Sequence, residues 1–437
     1  MLFYCDIITP RLKYITDFIG SQLFEQPLEL TTDKTLFAAG TGDKINYSKE
    51  PITMSEFRIE PQGLLFENGI AEQFIQCFEV NDSRKEKSYK TFFKTKGDFP
   101  FDIFAASFYL LSRYEEYLPH QKDAYGRYAH QNSLAFKEGF LHLPLINIWV
   151  DDFRKTLQNK FPHLGTRRES FSFLPTYDID EAFSYSHKQW WRTIGGMARS
   201  VIKGETSLLI ERVNVLIGSK QDPFNSFEWM DQLNHRFSLR PIYFFLVANR
   251  TGKYDKNIFP SNRIMQELIE RHSNRYSVGI HPSWQSVDDE IKLKHEVLRL
   301  GHITGRKIIS SRQHFIRFTL PETYRRLIDV GIESDFSMGY GTINGFRASV
   351  ASSFYWYDLP QEKQTGLMLF PFCFMEANSF FENKSSPQQA FEELKHYHHV
   401  TKSANGTLIT IWHNTFLGTS KLFAGWREVY QNFVSLV

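Results

Sequence analysis

The sequence predicts an α/β protein in which a smaller α+β domain precedes a distorted or incomplete (β/α) barrel. From about residue 170 onward, short apolar runs typical of buried strands alternate with longer amphipathic runs typical of helices. In α/β proteins such alternation places parallel strands inside and helices outside. The eight strand–helix units of a complete barrel are not all visible, so we expect the barrel to be incomplete or distorted.

Residues 1–165 are predicted to form the α+β domain, whose role the sequence does not indicate. They mix short strand-like runs with turn-rich stretches. The segment Pro162–Arg168 contains proline, glycine and several polar residues, which is typical of a linker. We therefore place a domain boundary there, with the second domain at residues 170–437. The two helices predicted in the first domain span about 101–117 and 145–161.

The predicted barrel domain begins and ends with an apolar strand. A long, partly helical stretch that carries Trp190 and Trp191 follows the first of them. The predicted strands lie at about 171–177, 241–247, 276–280, 307–311, 366–370 and 407–412. The predicted helices lie at about 227–236, 264–272, 288–301, 321–330 and 387–400.

Composition and charge exclude several classes of protein. Hydrophobic residues make up 42% and charged residues 23%, which gives material for a core and indicates no global disorder. A formal net charge of +2 indicates no dedicated surface for nucleic acid. The three cysteines are odd in number and far apart, which indicates neither a disulfide framework nor a Cys-x-x-Cys metal site and fits a reducing compartment.

Export and membrane insertion are not predicted either. The longest apolar run, about 242–248, is far shorter than the ~20 residues of a membrane helix. The N-terminus lacks the basic region and the apolar core of a signal peptide. We therefore expect a cytoplasmic protein without a membrane span, whose substrate would be an intracellular glycan precursor.

Two carboxylates mark the end of the first predicted barrel strand. Asp178 and Asp180 follow the apolar run at about 171–174. Residues i and i+2 of a strand project to the same face, so these side chains share one small space. Two close carboxylates repel unless a cation lies between them, which indicates a metal site, a general base, or both. The alternative is a pair of acids that only caps the following helix.

Other polar side chains follow the remaining strands in the same way. One polar group per strand end predicts a shared site, because the chemistry of such folds gathers at the carboxyl ends of their strands. An aspartate with one or two imidazoles suits a Zn²⁺-type ion that keeps a position open for water, and a second carboxylate can take that water's proton. This chemistry predicts a hydrolase of an amide or an ester. The set comprises Asp178, Asp180, His281, Arg312, His314, Asp335 and His413.

The order of these motifs resembles the polysaccharide deacetylase (NodB-like) superfamily, which includes carbohydrate esterase family 4. It is most similar to a two-domain bacterial branch in which an uncharacterised N-terminal domain precedes the catalytic domain. The resemblance covers about 170–437 and extends more weakly to Leu111–Tyr117. It implies a barrel of the polysaccharide deacetylase type, a divalent metal such as zinc, and a carbohydrate or glycan substrate. The matching blocks are Gly279–Ser283, Arg312–His314 and Gly345–Arg347.

The resemblance also implies catalytic roles. Asp178 corresponds to the catalytic base, and Arg312 corresponds to the arginine that orients this base. His413 lies in a motif similar to the family's Leu-x-His and corresponds to the catalytic acid. Asp335 corresponds to an acid that tunes the catalytic histidine.

The resemblance makes Asp180 and His281 metal ligands, but the sequence departs from the family's pattern at two points. Ile179 separates two acids that are commonly adjacent, as in branches that act on imides and small amides. Gln285 stands where the family has its second metal histidine, and an amide oxygen is a poor substitute for imidazole on Zn²⁺. We hypothesise that His314 supplies the missing ligand.

Three further residues are expected to bind the substrate. Trp284 and Trp412 flank proposed site residues, where an indole ring stacks on a sugar or is buried. Arg347 belongs to one of the blocks that match the family.

The preferred interpretation is a metal-dependent hydrolase that removes an acyl group, such as acetyl, from an N-acylated sugar or glycan, with metal-bound water as the nucleophile. The isolated Asp-x-Asp pattern favours a small amide or imide as an alternative substrate. Gln285 favours a third interpretation, a carbohydrate-binding or scaffolding protein that has lost catalysis. A lapsed site, however, has no chemical need for Asp178, Arg312 and His413 together.

Overall fold

The computed structural model describes residues 1–82 and 87–437, and it has the predicted α/β class. The first part of the chain contains two small sheets and several helices. Its elements are β1 (Leu2–Cys5), α1 (Pro10–Leu23), β2 (Glu29–Thr31), α2 (Lys34–Ala39), β3 (Lys44–Tyr47), β4 (Phe57–Arg58), β5 (Phe78–Asn81), β6 (Ser88–Thr91), α3 (Ile103–Leu111), α4 (Leu134–Lys137) and α5 (Leu145–Lys160).

The first part differs from the predicted α+β arrangement. Its four-stranded sheet has the order β2-β1-β3-β4 and is parallel throughout, with α1 and α2 in the crossovers, while β5 and β6 form an antiparallel pair. Helix α1 begins where the Thr9 side chain accepts a hydrogen bond from the Leu12 N–H and Pro10 occupies the first turn. Ile15 and Ile19 lie on its buried face. Parallel strands are usually joined by helical crossovers, and the sequence analysis did not predict helix α1.

The helix predicted at about 101–117 is interrupted. Helix α3 ends at Leu111, and Arg113 takes a left-handed backbone conformation with φ 54°. The chain then continues as a 3₁₀ turn that turns Glu116 inward. The Glu116 carboxylate receives hydrogen bonds from Arg113 Nε at 2.7 Å and from Arg347 Nε at 2.8 Å. This buried network ties the first part of the chain to the second.

Among residues 1–82 and 87–437, no helix is long and apolar enough to cross a membrane.

The second part of the chain contains all the strands and helices predicted for residues 170–437, with boundaries shifted by a few residues. Its elements are β7 (Ser172–Ile179), α6 (Trp190–Ile202), α7 (Thr206–Leu216), α8 (Phe227–Arg236), β8 (Ile242–Phe245), α9 (Arg263–Ser273), β9 (Ser277–Ile280), α10 (Glu290–Thr304), β10 (Ser310–Ser311), α11 (Glu322–Asp329), β11 (Ser334–Asp335), β12 (Phe354–Asp358), β13 (Lys363–Leu369), β14 (Phe374–Met375), α12 (Pro387–Ser403), β15 (Thr407–His413) and α13 (Trp426–Val434).

These strands form one nine-stranded sheet with the order β12-β13-β11-β10-β9-β8-β7-β15-β14, parallel except for β12. Strands β13 and β14 are seven positions apart in this order, which would be about 33 Å in a flat sheet. The four residues 370–373 join them, and such a link reaches at most about 18 Å. The sheet must therefore curve strongly, which brings its two ends together at their carboxyl side.

The two parts of the chain pack closely. The Ile146 N–H donates to the Ser349 carbonyl at 2.9 Å, and Arg11 Nε donates to Glu362 at 2.9 Å. The predicted linker at 162–168 lies between α5 and β7. The domain boundary that we placed there stays a prediction.

Candidate active site

The carboxyl ends of neighbouring strands bring most of the predicted site residues together. The register of β7 and β15 sets His413 directly beside Asp178. The pairings of β8, β9 and β10 carry the same edge onward from β7. The side chains that reach this edge are Asp178 near the end of β7, Asp180 just after β7, His281 after β9, Arg312 and His314 after β10, His413 at the end of β15 and Glu376 after β14.

Asp180 lies at the centre of this group. Its Oδ1 is 3.0 Å from Nε2 of His281, and its Oδ2 is 3.3 Å from Nε2 of His314. One ligand atom from each of these three residues lies within 4.8 Å of the others. The structure therefore places His314 where our hypothesis needs it.

The other nitrogen of each imidazole is held from behind. Nδ1 of His281 lies 2.6 Å from the Arg312 carbonyl oxygen, so it must carry a hydrogen and donate. Nδ1 of His314 lies 3.1 Å from Oδ1 of Asp255, a residue of the loop after β8. Metal-binding histidines are typically oriented in this way by a carbonyl or a carboxylate. The sequence did not indicate Asp255, because it lies on a loop far from any strand end.

This donor set fits a divalent cation. With hydrogens on both Nδ1 atoms, the neutral rings of His281 and His314 aim Nε2 lone pairs at the Asp180 carboxylate, and these donors repel unless a cation or protons lie between them. Burial alone would raise the pKa of Asp180, but the imidazoles of His314, His281 and His413 together hold that pKa well below its usual range. Burial lowers the pKa of His314, but Asp180 and Asp255 outweigh it and raise this pKa to about 9. Positive charge is therefore strongly favoured at this point.

Gln285 is placed in a supporting position. Its Nε2 lies 3.4 Å from Oδ2 of Asp255, and the Trp284 N–H donates to Oδ1 of the same carboxylate at 2.9 Å. Gln285 thus helps to hold the acid that orients His314.

Asp178 and Arg312 form a buried ion pair beside this group. Arg312 Nη1 donates to Oδ1 of Asp178 at 3.0 Å and to Oγ1 of Thr176 at 2.6 Å, and both charged side chains are at most 2% exposed. Oδ2 of Asp178 lies 3.9 Å from Nε2 of His281. Burial lowers the pKa of Arg312, and the carboxylate of Asp178 opposes this effect. The Asp178 carboxylate is thereby held in a fixed position at the edge of the candidate metal site.

His413 lies on the more open side of the group. Its Nε2 is 3.4 Å from Oδ2 of Asp180, and its Nδ1 is 2.7 Å from Oε1 of Glu376, which is fully buried. Burial lowers the pKa of His413, but Glu376 and Asp180 outweigh it and raise this pKa well above its usual value. The imidazole is therefore positioned and charged as a proton donor would be.

The acid that holds His413 is Glu376, not Asp335. Asp335 receives hydrogen bonds from the hydroxyls of Ser311 at 2.7 Å and Ser337 at 3.0 Å. Its side chain lies behind Arg312 at the end of β11. The predicted role of Asp335 in tuning the catalytic histidine is therefore wrong.

Two of the three predicted substrate-binding residues are buried structural residues. Trp412 is 0% exposed and packs against Tyr430, with ring centroids 4.7 Å apart. Arg347 is 1% exposed, binds Glu116, and lies 4.2 Å above the ring of Phe318. Neither side chain is free to contact a sugar, so both predictions are wrong.

Trp284 is half-buried at the edge of an aromatic cluster. It stacks on Tyr254 with ring centroids 4.1 Å apart, and the guanidinium of Arg317 lies 4.6 Å above its ring. Trp284 thus supports Tyr254, whose ring lines a cleft over the strand-end group. Its own contact with a substrate stays a prediction.

A cleft of about 670 Å³ opens over the strand-end group. The first part of the chain contributes Tyr125 and Arg127 to its lining. Arg127 Nη1 donates to the Phe315 carbonyl at 2.5 Å, and the rings of Tyr125 and Phe315 lie 5.6 Å apart. Sequence reasoning missed these residues, because no local pattern links positions so far apart. The lining also includes Asp178, Asp180, Tyr254, His281, His314, Phe381, His413, Phe416, Leu422 and Phe423.

Comparisons with known proteins match the chain in pieces. A family of unknown function, DUF7033, matches residues 1–162, which ends at the first residue of the predicted linker. No curated protein matches the chain.

Three solved structures of polysaccharide deacetylases are distantly similar to the chain. A candidate polysaccharide deacetylase from Mycobacterium smegmatis is 11% identical over 61% of this chain and 84% of its own, with a TM-score of 0.39. Another from Pseudomonas aeruginosa is 11% identical over the same shares, 61% and 84%, with a TM-score of 0.38. The polysaccharide deacetylase of Bacillus cereus is 8% identical over 62% of this chain and 88% of its own, with a TM-score of 0.31. At such low TM-scores these similarities carry no argument about fold or activity.

Proposed function

We propose that this protein is a metal-dependent hydrolase that removes an acyl group from an N-acylated sugar or glycan. The observation that carries the proposal is the convergence of Asp180, His281 and His314 beside the Asp178–Arg312 pair. A cation site, a base and an acid then lie around one small volume, as hydrolysis of an amide requires. The sequence motifs that resemble polysaccharide deacetylases support the same reaction and a barrel of that type.

Asp180, His281 and His314 would hold the metal through a carboxylate oxygen and two Nε2 atoms. A divalent ion of the zinc type, when bound, supplies Lewis acidity that makes water more acidic and polarises an acyl carbonyl. Asp255 and the Arg312 carbonyl fix the two imidazole rings in the orientation that this donor set needs.

Asp178 acts as the general base. Arg312 pairs with its carboxylate and fixes its position by a hydrogen bond of 3.0 Å. The carboxylate accepts a proton from the water that attacks the acyl carbon. Because Oδ2 of Asp178 lies 3.9 Å from Nε2 of His281, this proton is taken beside the proposed metal ligands.

His413 acts as the general acid. It donates the Nε2 proton to the sugar nitrogen as the carbon–nitrogen bond breaks, so that the products are a carboxylate and an amine. Glu376 holds Nδ1 at 2.7 Å and stabilises the charged imidazole until transfer. The greater exposure of His413, 14% against 2% for His281, suits contact with a leaving group that reaches in from the cleft.

The size and lining of the cleft favour a sugar over a small amide or imide. A volume of about 670 Å³ lies within the ~300–1,000 Å³ range of sites for drug-sized ligands. Aromatic rings such as Tyr125 and Tyr254 offer flat apolar faces to a sugar ring. The position of His314 also favours an active enzyme over a protein that has lost catalysis, because a histidine is then available as a ligand in place of Gln285.

Metal analysis of the purified protein tests the proposal most directly. We expect about one equivalent of zinc or a similar divalent ion, since residues 1–82 and 87–437 contain one three-residue donor set of this kind. His281→Ala and His314→Ala should each weaken metal binding by at least about 100-fold, because each substitution removes a ligand. Metal content by mass spectrometry and competition with a chelator measure both effects.

His399→Ala is the matched control, because His399 lies exposed on α12. Its metal content should equal that of the unsubstituted protein. Failure to bind any divalent ion after loading would contradict the proposal. Full metal retention in His314→Ala alone would contradict the ligand role of His314.

Substitution of Tyr125 tests the contribution of the first part of the chain to the cleft. Tyr125→Ala should raise KM for an N-acylated sugar by up to about tenfold, since an aromatic contact contributes roughly 0.5–1.5 kcal/mol. The kcat should change little, because this ring takes no part in the proposed proton transfers. Tyr355→Ala, which removes a half-exposed ring on β12, is the control and should leave KM unchanged. An unchanged KM in Tyr125→Ala would exclude this wall from substrate binding.

A further inference from the structure

Helices α6 and α7 form a hairpin that presents large apolar side chains to solvent. In α6, Trp190 is 75% exposed and Ile202 is 85% exposed. At 100° per residue, the exposed apolar residues of α6 lie within about 120° of arc, so they form one face of the helix. This face comprises Trp190, Trp191, Ile194, Ala198, Val201 and Ile202.

Helix α7 continues the exposed apolar surface. Ile210 and Val213, with Ile217 just beyond the helix, recur at the i, i+3, i+7 spacing of one helical face and are all exposed. The amphipathic pattern of the hairpin is thus the reverse of that of a helix packed on a core. An apolar surface of this extent marks a binding surface.

The charge of the hairpin indicates what this surface meets. Residues 181–220 contain six lysines and arginines but only three acidic residues, a net charge of +3 against +2 for the whole chain, although Lys188 pairs with Glu181 and Lys220 with Glu211. Helix α6 contains no acidic residue at all. Two copies of such a hairpin would repel each other, whereas an anionic surface would attract it.

The residue types fit the interface of a lipid bilayer. Basic residues flank an apolar face that begins with the adjacent indoles of Trp190 and Trp191, and tryptophan is enriched at the level of lipid headgroups. Helix α6 has 13 residues and is about 20 Å long, which suits a helix that lies in the plane of the interface.

The hairpin is attached to the protein beside the cleft. The Arg192 guanidinium donates to the carbonyl oxygens of Lys256 at 2.8 Å and Asn257 at 3.3 Å. Lys256 also lines the cleft. In α7, the guanidinium of Arg212 lies 4.8 Å above the ring of Tyr185. The exposed face is therefore carried on a fixed support.

We propose that the α6–α7 hairpin docks the protein on an anionic lipid surface, with Trp190, Trp191 and Ile194 inserted at the headgroup level and the exposed Lys203 against lipid phosphates and carboxylates. The docked protein would hold its cleft close to that surface. This docking does not depend on the hydrolase activity proposed above.

Vesicle sedimentation with the full chain tests the proposal. The protein should sediment with vesicles of phosphatidylcholine and phosphatidylserine, and much less with phosphatidylcholine alone. High salt should weaken the binding, because the attraction of exposed charges is screened. The double variant Trp190→Glu/Ile194→Glu should bind at least tenfold more weakly, because it places two negative charges in the apolar face. These side chains are exposed, so circular dichroism should show an unchanged fold.

Phe74→Glu is the control, because Phe74 is also exposed, at 89%, but lies outside the hairpin, and its binding should match that of the unsubstituted protein. Equal sedimentation of the double variant and the unsubstituted protein would overturn the proposal. Failure of the unsubstituted protein to bind the anionic vesicles would also overturn the proposal. In that case, light scattering could show a dimer that the double variant loses. That last result would assign the face to a second copy of the chain.

Discussion

Asp178→Asn is expected to lower kcat by about three orders of magnitude while leaving the metal content unchanged, because a positioned general base contributes ~10²–10⁴-fold. Asparagine has nearly the same size and still accepts a hydrogen bond from Arg312, whose Nη1 lies 3.0 Å from Oδ1 of Asp178. It cannot take a proton from water. Binding of an N-acylated sugar should therefore stay within a few-fold of that of the unsubstituted protein. Acyl release under saturating substrate measures kcat, and equilibrium binding of the same sugar measures affinity.

The control for this variant is Asp17→Asn, which changes an exposed acid of α1 that pairs with Lys13. It should retain full turnover. Because Asp178 is the buried partner of Arg312, circular dichroism and metal content must show that Asp178→Asn is folded. Equal turnover by the folded variant and the unsubstituted protein would contradict the role of Asp178 as base. Equal sugar binding without any turnover, even by the unsubstituted metal-loaded protein, would favour a binding protein.

The strand-end residues could be predicted from the sequence because each follows an apolar run directly. The Asp178–Asp180 pair shows the period of a strand, and His281 comes at once after the run that forms β9. Parallel pairing then places such residues at one edge of the sheet without any further information. His314 could be proposed for the same reason, since it comes three residues after β10.

The groups that orient these side chains were harder to predict. Asp255 meets His314 although 59 residues separate them, and it lies in a loop with no periodic pattern. The apolar stretch 367–374 indicates that Glu376 can reach the strand-end site, but the two-residue strand β14 leaves no pattern that pairs it with His413. Contacts of this kind depend on where the loops pack, and a single sequence does not contain that information.

The alternation of side chains along β15 shows why Trp412 was wrongly predicted to bind substrate. Ile411 and His413 project to one face of this strand, so Trp412 must project to the other. The structure places Trp412 against Tyr430 of α13, on the side away from the cleft. If His413 is assigned to the site, its neighbour in the strand is thereby assigned to the core.

The role of Glu116 could not be predicted, because it depends on contacts between the two parts of the chain. The left-handed conformation of Arg113 turns Glu116 toward Arg347, 231 residues further along the chain. The family resemblance of the block Gly345–Arg347 had instead suggested that Arg347 binds substrate. The ion network is therefore a structural link between the parts, and its removal has a large predicted cost.

Glu116→Ala is expected to lower the free energy of unfolding by about 3–5 kcal/mol, because it leaves buried positive charge without its partner. The side chains of Glu116, Arg113 and Arg347 are at most 4% exposed. Arg113 keeps its pairing with Glu115, whereas Arg347 loses both of its hydrogen bonds to the carboxylate. Denaturant unfolding followed by circular dichroism measures the change. Glu333→Ala is the control, since its exposed pair with Lys307 should contribute only about 0–1 kcal/mol.

The pH dependence of this stabilisation follows from the pKa of Glu116. Burial raises this pKa, but Arg347 and Arg113 outweigh burial and lower it from 4.5 to about 2. A lowered pKa in the folded state contributes stability above the unfolded value and loses it as the pH falls toward the folded value. The difference in unfolding free energy between the unsubstituted protein and Glu116→Gln should therefore be constant above about pH 4.5 and should shrink as the pH falls toward 2. A difference that stays constant throughout this range, or a loss in Glu116→Ala no larger than in Glu333→Ala, would show that the network does not hold the two parts together. The Glu116–Arg347 contact would then be a consequence of their packing and not one of its causes.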